Sequence, residues 1–313
     1  MNNPKILSLG DILVEVMRKD LDQPLDQPAD FTGPYPSGAS AIFIDAAARL
    51  GGSCGYIGKV GADDFGTCVL NRLRDDGVDV THIQAVPGYT TGIAFVMYRS
   101  DGSRKFVFHL PQSAAALLNA DDVPVDTVRA AKFVHITGSA LSINASVRAA
   151  CYRAIELCKA AGGRVSFDPN VRPELLGGMD KLREIVKPVL DACDVLLPSG
   201  AEATILTGDE NEEHACRYLV QRGISIVALK RGERGSKVFT PYESIEAAPI
   251  QVAEVDPTGA GDCFGGAFIV GLLEGWELDK IARFANVVGG LSVMHKGPME
   301  GAPTRAEVLR RMG

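Results

Sequence analysis

The chain has no stretch approaching the roughly 20 consecutive apolar residues that a membrane-spanning helix needs. Its opening, MNNPKILSLGD, has neither the apolar core nor the cleavage site of a signal peptide. Seven cysteines are present, an odd number with no CxxC pair, so neither a disulfide framework nor a zinc framework is expected. Scattered thiols of this kind suit a reducing cytoplasm. A basic excess is also missing. The formal net charge of −7 argues against general affinity for nucleic acid or anionic membranes. Any phosphate must then be held by a local site. The five histidines show no ligand spacing and H-E-x-x-H is absent, so zincin chemistry has no anchor. The one G-x-S-x-G match, Gly51-Gly52-Ser53-Cys54-Gly55, follows a helical stripe and precedes a strand, the reverse of the strand-to-helix elbow of a hydrolase. Gly58-Lys59 is not followed by Ser or Thr, which removes the P-loop. Gly55, Gly58 and Gly61 lack the G-x-G of a dinucleotide fold.

What remains is ordinary globular composition, 46% hydrophobic and 23% charged over 313 residues, without repeats or low-complexity linkers. That length suits one large domain or two small ones, and a single domain covering residues 1–313 is expected. Short apolar runs (KILSLG, CGYIGKVG, KFVHITG, RVSFDP, DVLLPS, ISIVALKRG, SKVFT) alternate with helically periodic segments, among them AIFIDAAARLG and NASVRAACYRAIELCKAAGG. That alternation predicts an α/β fold with a mostly parallel central sheet flanked by helices. Ligands of such sheets sit at the carboxyl ends of the strands, which points to the loops at 168–172, 198–202 and 230–235. Two segments depart from the pattern. Residues 20–38 are rich in Pro and Asp, while TGIAFVMYRS and RKFVFHL flank Ser100-Asp101-Gly102 as a β-hairpin. Lid segments at about 12–36 and 88–112 are one reading of these, and surface decoration is the other.

The most informative stretch is Asp256-Pro257-Thr258-Gly259-Ala260-Gly261-Asp262. Phe264, Ala267, Phe268, Gly271 and Leu272 follow at helical spacing, so a buried helix is predicted to start near Gly261. The amides of Gly259, Ala260, Gly261 and Asp262 would converge as an anion nest at that helix's N-terminus. A carboxylate there would repel a phosphate unless it served the chemistry. Asp262 is therefore the candidate base that takes the proton of an attacking hydroxyl. A plain N-cap is the competing explanation.

This motif resembles the C-terminal signature of the PfkB, or ribokinase-like, carbohydrate kinases. Arg49-Leu50-Gly51-Gly52 and Tyr56-Ile57-Gly58-Lys59-Val60-Gly61-Ala62-Asp63-Asp64-Phe65-Gly66 are similar to the family's N-terminal signature. Asp168-Pro169-Asn170-Val171-Arg172 resembles the D-x-N-x-R of fructokinases and 2-keto-3-deoxygluconate kinases. The resemblance implies a ribokinase-like sheet with a small β lid, and transfer of ATP's γ-phosphoryl to a primary hydroxyl of a small sugar or sugar acid. Asp262 would be the base, Gly259, Ala260 and Gly261 the anion hole, and Arg172 a contact to the moving phosphate. Lys230, Gly232, Gly235, Asn286 and Gly297 would line the nucleotide. Glu202 would meet Mg2+ through water, Asp256 would help hold a monovalent cation such as K+, and the lids would pair in a homodimer.

The match is incomplete. Ser37 and Ile42 stand where family members carry a glycine and a sugar-binding Asn, around the retained Gly38. Glu15 replaces a sugar-binding Asp and, with Gly38, stays a candidate substrate contact that could accept sugar hydroxyls, a solvated strand-end Glu being the alternative. Ser199 replaces the Asn of the N-x-x-E motif that ends at Glu202. An apolar Ile42 cannot make an amide's hydrogen bonds, so the substrate or its pose should differ. Arg99, Arg104 and Lys105 flank the hairpin turn, and Arg104 is the candidate for a substrate carboxylate, solvation being the alternative. A sensor that binds sugar or nucleotide without turnover is the non-catalytic reading, and a ribokinase or nucleoside kinase specificity is a further one.

Overall fold

A computed structural model describes residues 3–170 and 178–313. Thirteen strands are found among them: β1 (Ile6–Leu9), β2 (Leu13–Arg18), β3 (Phe31–Ser37), β4 (Cys54–Gly61), β5 (Asp79–Val86), β6 (Gly92–Tyr98), β7 (Arg104–His109), β8 (Phe133–Thr137), β9 (Arg164–Asp168), β10 (Val195–Leu196), β11 (Ile226–Lys230), β12 (Ser236–Phe239) and β13 (Ser244–Ala247). Nine form one sheet in the order β13-β12-β11-β10-β9-β8-β1-β4-β5. Every pairing from β5 to β11 is parallel, and only β12 and β13 run antiparallel at one edge. The strand sequences explain the burial. Ile6, Leu7, Leu9, Phe133, Val134, Val165 and Phe167 are all fully enclosed, as continuous apolar runs in a sheet covered on both sides should be.

β1 sits between β4 and β8, where the chain reverses its direction of travel across the sheet. Such a switch point leaves a crevice beyond the strand's carboxyl end. The loops expected to carry chemistry lie at the corresponding ends of β9, β10 and β11. DVLLPS, read as a strand, contributes only the two residues of β10.

The remaining strands form a second sheet in the order β3-β2-β6-β7. β6 and β7 are the hairpin read around Ser100-Asp101-Gly102, with Tyr98 opposite Arg104. The Pro/Asp-rich segment becomes a loop closed by Arg18, whose guanidinium donates to the carbonyls of Pro24, Gln27 and Ala29, followed by β3. Along β7 the pleat sends Phe106 and Phe108 inward, while Lys105, Val107 and His109 stay exposed.

Two helices frame the crevice. Ala39–Arg49 begins at Gly38, which has no side chain to cap it. Asp11, just past β1, supplies the missing acceptor: its carboxylate takes the amides of Ala39 at 2.7 Å and Ser40 at 3.3 Å. The second helix, Ala260–Leu273, is the one read from the sequence, and its interior positions 262–271 are buried. It packs against Ala39–Arg49 on one side and Leu278–Ser292 on the other. None of the described helices is long and apolar enough to cross a membrane. All seven cysteines are free thiols.

Candidate active site

A cavity of about 340 Å3 lies between the small sheet and the carboxyl ends of β1, β9, β10 and β11, and the start of Ala260–Leu273 closes one end. Asp262 stands in the first turn of that helix and is 8% exposed. Helical N–H groups of the first turn have no intrahelical acceptor, so the start of this helix suits an anion. The turn depends on Gly259, whose φ of +83° is in the left-handed region. A Cβ there would lie 2.5 Å from the carbonyl oxygen of Pro298, so no other residue fits without moving that loop.

Opposite the turn, Lys230 ends β11 with its ammonium buried. Its Nζ is 2.5 Å from Oδ2 of Asp168, at the end of β9. Burial pulls the Lys230 ammonium down, but the carboxylates of Asp168, Glu202 and Asp262 outweigh that and hold it above the ordinary lysine value. A Cβ added to Gly261 would meet Nζ at 3.2 Å, so this fixed positive charge borders the anion nest. Asn170, at φ +34°, turns its amide toward Asp262 with Nδ2 3.5 Å from Oδ1. Glu202 lines the same end, accepting the Ser199 amide at 2.7 Å. Arg172, the candidate phosphate contact, lies outside the described residues.

The other end of the cavity is built by the small sheet and the 38–42 turn. Glu15, 5% exposed, accepts a 2.6 Å hydrogen bond from the Ser37 hydroxyl, so two positions that depart from the family pattern touch each other. Gly38 takes φ +109°, and a Cβ on it would fall 2.1 Å from the Asp11 carbonyl oxygen. Asp11 also accepts Thr137 Oγ1 at 3.0 Å and Ser139 Oγ at 2.9 Å, which joins the ends of β1 and β8. Ile42, Leu13, Phe106, Phe108 and Leu110 give this end an apolar wall. Arg104 reaches in from β7, and its Nη1 donates to Thr258 Oγ1 at 2.8 Å.

The remaining sequence-derived positions fall into two groups. Gly235 (φ +76°) packs against Ala247, and Asn286 donates to the carbonyls of Ala247 and Ala248 at 2.9 Å each, so these two meet beside the end of β13. Gly232 (φ +57°) opens the tight turn that Gly235 closes. Gly297 is elsewhere. Its amide donates to Asp256 Oδ2 at 2.9 Å, while Asp256 Oδ1 accepts from Thr258 N and Tyr98 Oη. None of Gly232, Gly235, Asn286 and Gly297 lines the cavity itself.

Sequence reasoning did not single out Asp11, Tyr98, Thr258 or the inward phenylalanines. Asp11 did carry a signal, as an acid directly after a strand-ending glycine. Tyr98 carried none, because its partner is 158 residues away. Among the described residues no three His, Cys, Asp or Glu side chains gather as a metal cage. Glu202, which lines the cavity, still suits Mg2+, which keeps several waters and leans on phosphate oxygens.

An acid at a glycine-entered helix start, a buried lysine beside it and a covering second sheet, all at strand carboxyl ends, define a small-molecule kinase of ribokinase-like fold. Residues 3–305 match the family model for pfkB family carbohydrate kinases, and the chain belongs to that family. It is 33% identical to fructokinase-1 of Zea mays over 313 residues, covering 97% of this chain and 96% of that one. An E. coli protein assigned as ribokinase II, solved with ATP and Mg2+, superimposes with a TM-score of 0.93 at 39% identity, covering 99% of each chain. The Vibrio cholerae fructokinase solved with fructose, ADP and calcium gives 0.84 at 27% identity, again over 99% of each. The protein is thus a carbohydrate kinase, a phosphotransferase with an alcohol acceptor.

Proposed function

We propose that the protein transfers the γ-phosphoryl group of ATP to a primary hydroxyl of a small neutral sugar, with fructose the first acceptor to test, and that it does so as one domain with the small sheet as lid. The observation that carries this is the pairing of Asp262 with the Gly259–Gly261 turn inside a cavity of sugar size. Asp262 takes the proton of the attacking hydroxyl, and the amides of Gly259, Ala260 and Gly261 receive the negative charge on the transferring group. Lys230 adds a fixed positive charge, and Arg172 a second, chain-borne contact. Gly232, Gly235 and Asn286 would line the nucleotide beside the end of β13, while Gly297, held on Asp256, stands apart from them. Glu202 would hold Mg2+ through water, and that ion would supply charge neutralisation on the phosphates. For a monovalent cation the candidate is Asp256, whose oxygens accept three hydrogen bonds and keep about one of their roughly four lone-pair positions.

The acceptor end favours a neutral sugar over a sugar acid. Asp11, Glu15 and Asp262 face it with negative charge. Of the described cations lining the cavity, Lys230 is neutralised by Asp168, and Arg104, which gives one N–H to Thr258, keeps its charge, so three acids stand against one uncompensated cation. A substrate carboxylate would meet net repulsion, with Arg104 as its one described partner. Exposed Phe31 and Val107 on the small sheet support the expected homodimer through the lid, which analytical ultracentrifugation tests. The unpaired thiols support the expected cytoplasmic setting.

The experiment is coupled ADP release with ATP and Mg2+ against fructose, ribose, 2-keto-3-deoxygluconate and nucleosides. Turnover is expected with fructose and absent without an acceptor. Preference for the sugar acid would overturn the neutral-acceptor reading. Silence with every acceptor, ATP binding being intact, would favour the sensor.

A further inference from the structure

Tyr98 and Arg104 face each other across the β6–β7 hairpin, and both reach one atom of the catalytic loop. Arg104 Nη1 lies 2.8 Å from Thr258 Oγ1, and Tyr98 Oη lies 2.9 Å from the same oxygen and 2.9 Å from Asp256 Oδ1. The protons can be assigned by elimination. The Asp256 carboxylate only accepts, so the Tyr98 hydroxyl proton goes to it. Tyr98 Oη can then only accept from the Thr258 hydroxyl, and Thr258 Oγ1 accepts from the guanidinium. The result runs in one direction: Arg104 N–H to Thr258 O–H to Tyr98 O–H to the Asp256 carboxylate. Hydroxyls linked between a cation and an anion polarise one another in the same sense, which strengthens every bond in the chain.

The position of this chain gives it a consequence. Thr258 is 9% exposed and Asp256 2% exposed, and Thr258 immediately precedes Gly259, the residue that turns the backbone into the anion nest. Asp256 also holds the amide of Gly297, whose neighbour Pro298 presents its carbonyl to Gly259. Two strands of the small sheet thereby grip the entry to the nest.

We propose that Tyr98 and Arg104 are positioning residues for phosphoryl transfer: acting through Thr258, they set the Gly259–Asp262 turn, so that the nest is complete only with the small sheet lying over the acceptor. This rests on the kinase reading above. It assigns Arg104 to the loop, where a receptor for a substrate carboxylate would instead act on sugar binding.

The test compares Tyr98→Phe, Thr258→Val, Thr258→Ser, Arg104→Lys and the double variant Tyr98→Phe/Thr258→Val with the wild type, each first checked for an unchanged melting temperature. Tyr98→Phe and Thr258→Val should each lower kcat about tenfold, the scale of one buried hydrogen bond, with the sugar KM nearly unchanged. The double variant should be no worse than the poorer single one, because both break the same chain. Thr258→Ser and Arg104→Lys, which keep their hydrogen-bonding groups, should retain most of the activity. Amide hydrogen exchange at Thr258, whose N–H is held by Asp256, measured without sugar, should quicken in Tyr98→Phe. Wild-type kcat in Tyr98→Phe and Thr258→Val, a loss confined to sugar KM, or additive losses in the double variant would each overturn the proposal. A wild type inactive on every sugar would overturn the kinase reading and with it the catalytic half of this one. The exchange rates would still decide whether the clasp holds the loop.

Discussion

Replacing Gly259 with alanine tests whether the anion nest depends on one backbone conformation. The residue has φ +83°, where an L side chain costs about 1–2 kcal/mol. The added methyl would also lie 2.5 Å from the Pro298 carbonyl oxygen and 3.1 Å from Ile42 Cγ2. Ile42 can adjust, but the carbonyl cannot retreat freely. Its loop is pinned by the Gly297 amide on Asp256, by Arg72 on the Met299 carbonyl at 2.6 Å and by Arg49 Nε on the Ala302 carbonyl at 2.7 Å. Overpacking of that kind costs about 1–3 kcal/mol, so Gly259→Ala should lose about 2–5 kcal/mol in all. Where the backbone yields instead, the nest shifts, and a displacement of about 1 Å at reacting groups costs on the order of 10²-fold in rate. Urea unfolding and coupled ADP release read the two effects separately. A variant with wild-type midpoint and wild-type kcat would refute the reasoning, because both routes for relieving the clash are counted.

Lys230→Met should destabilise by about 3–5 kcal/mol, as it leaves the buried Asp168 carboxylate without its cation, and adding Asp168→Asn should restore part of the loss in chemical denaturation. Asp11→Asn turns one acceptor oxygen into a donor facing groups that already donate, so it should cost about 1–3 kcal/mol and raise the KM for sugar more than that for ATP in steady-state kinetics. Chelation of divalent cations should abolish ADP release, and added Mg2+ should restore it, since the phosphate charge would otherwise go uncompensated in a cavity lined by acids.

Much of the central sheet was legible because it is buried on both faces. Runs such as KFVHITG and RVSFDP have no alternation to confuse with a half-exposed strand, and they became β8 and β9. The Ala260–Leu273 helix and its catalytic turn were legible for a local reason: the two glycines, the acid and the apolar stripe lie within about one helix length in sequence. β5 was missed because DVTHIQAV is half-exposed with mixed polarity and its neighbours decide its pairing. The Tyr98–Thr258–Arg104 contacts were illegible for the same kind of reason, since they join segments more than 150 residues apart that only the fold brings together. Ser37 and Glu15 were each noticed as departures. That they are partners required the β2–β3 register, which sets Leu13 opposite Ser37 and so brings Ser37 within reach of Glu15.

The account centres on Asp262 as the proton acceptor, and the direct measurement is coupled ADP release by Asp262→Asn with whichever sugar the wild type phosphorylates. The asparagine keeps size and hydrogen-bonding capacity but cannot take the proton. The account predicts that ATP binding survives while kcat falls by about 10²-fold or more. Near-normal turnover in that variant would contradict it.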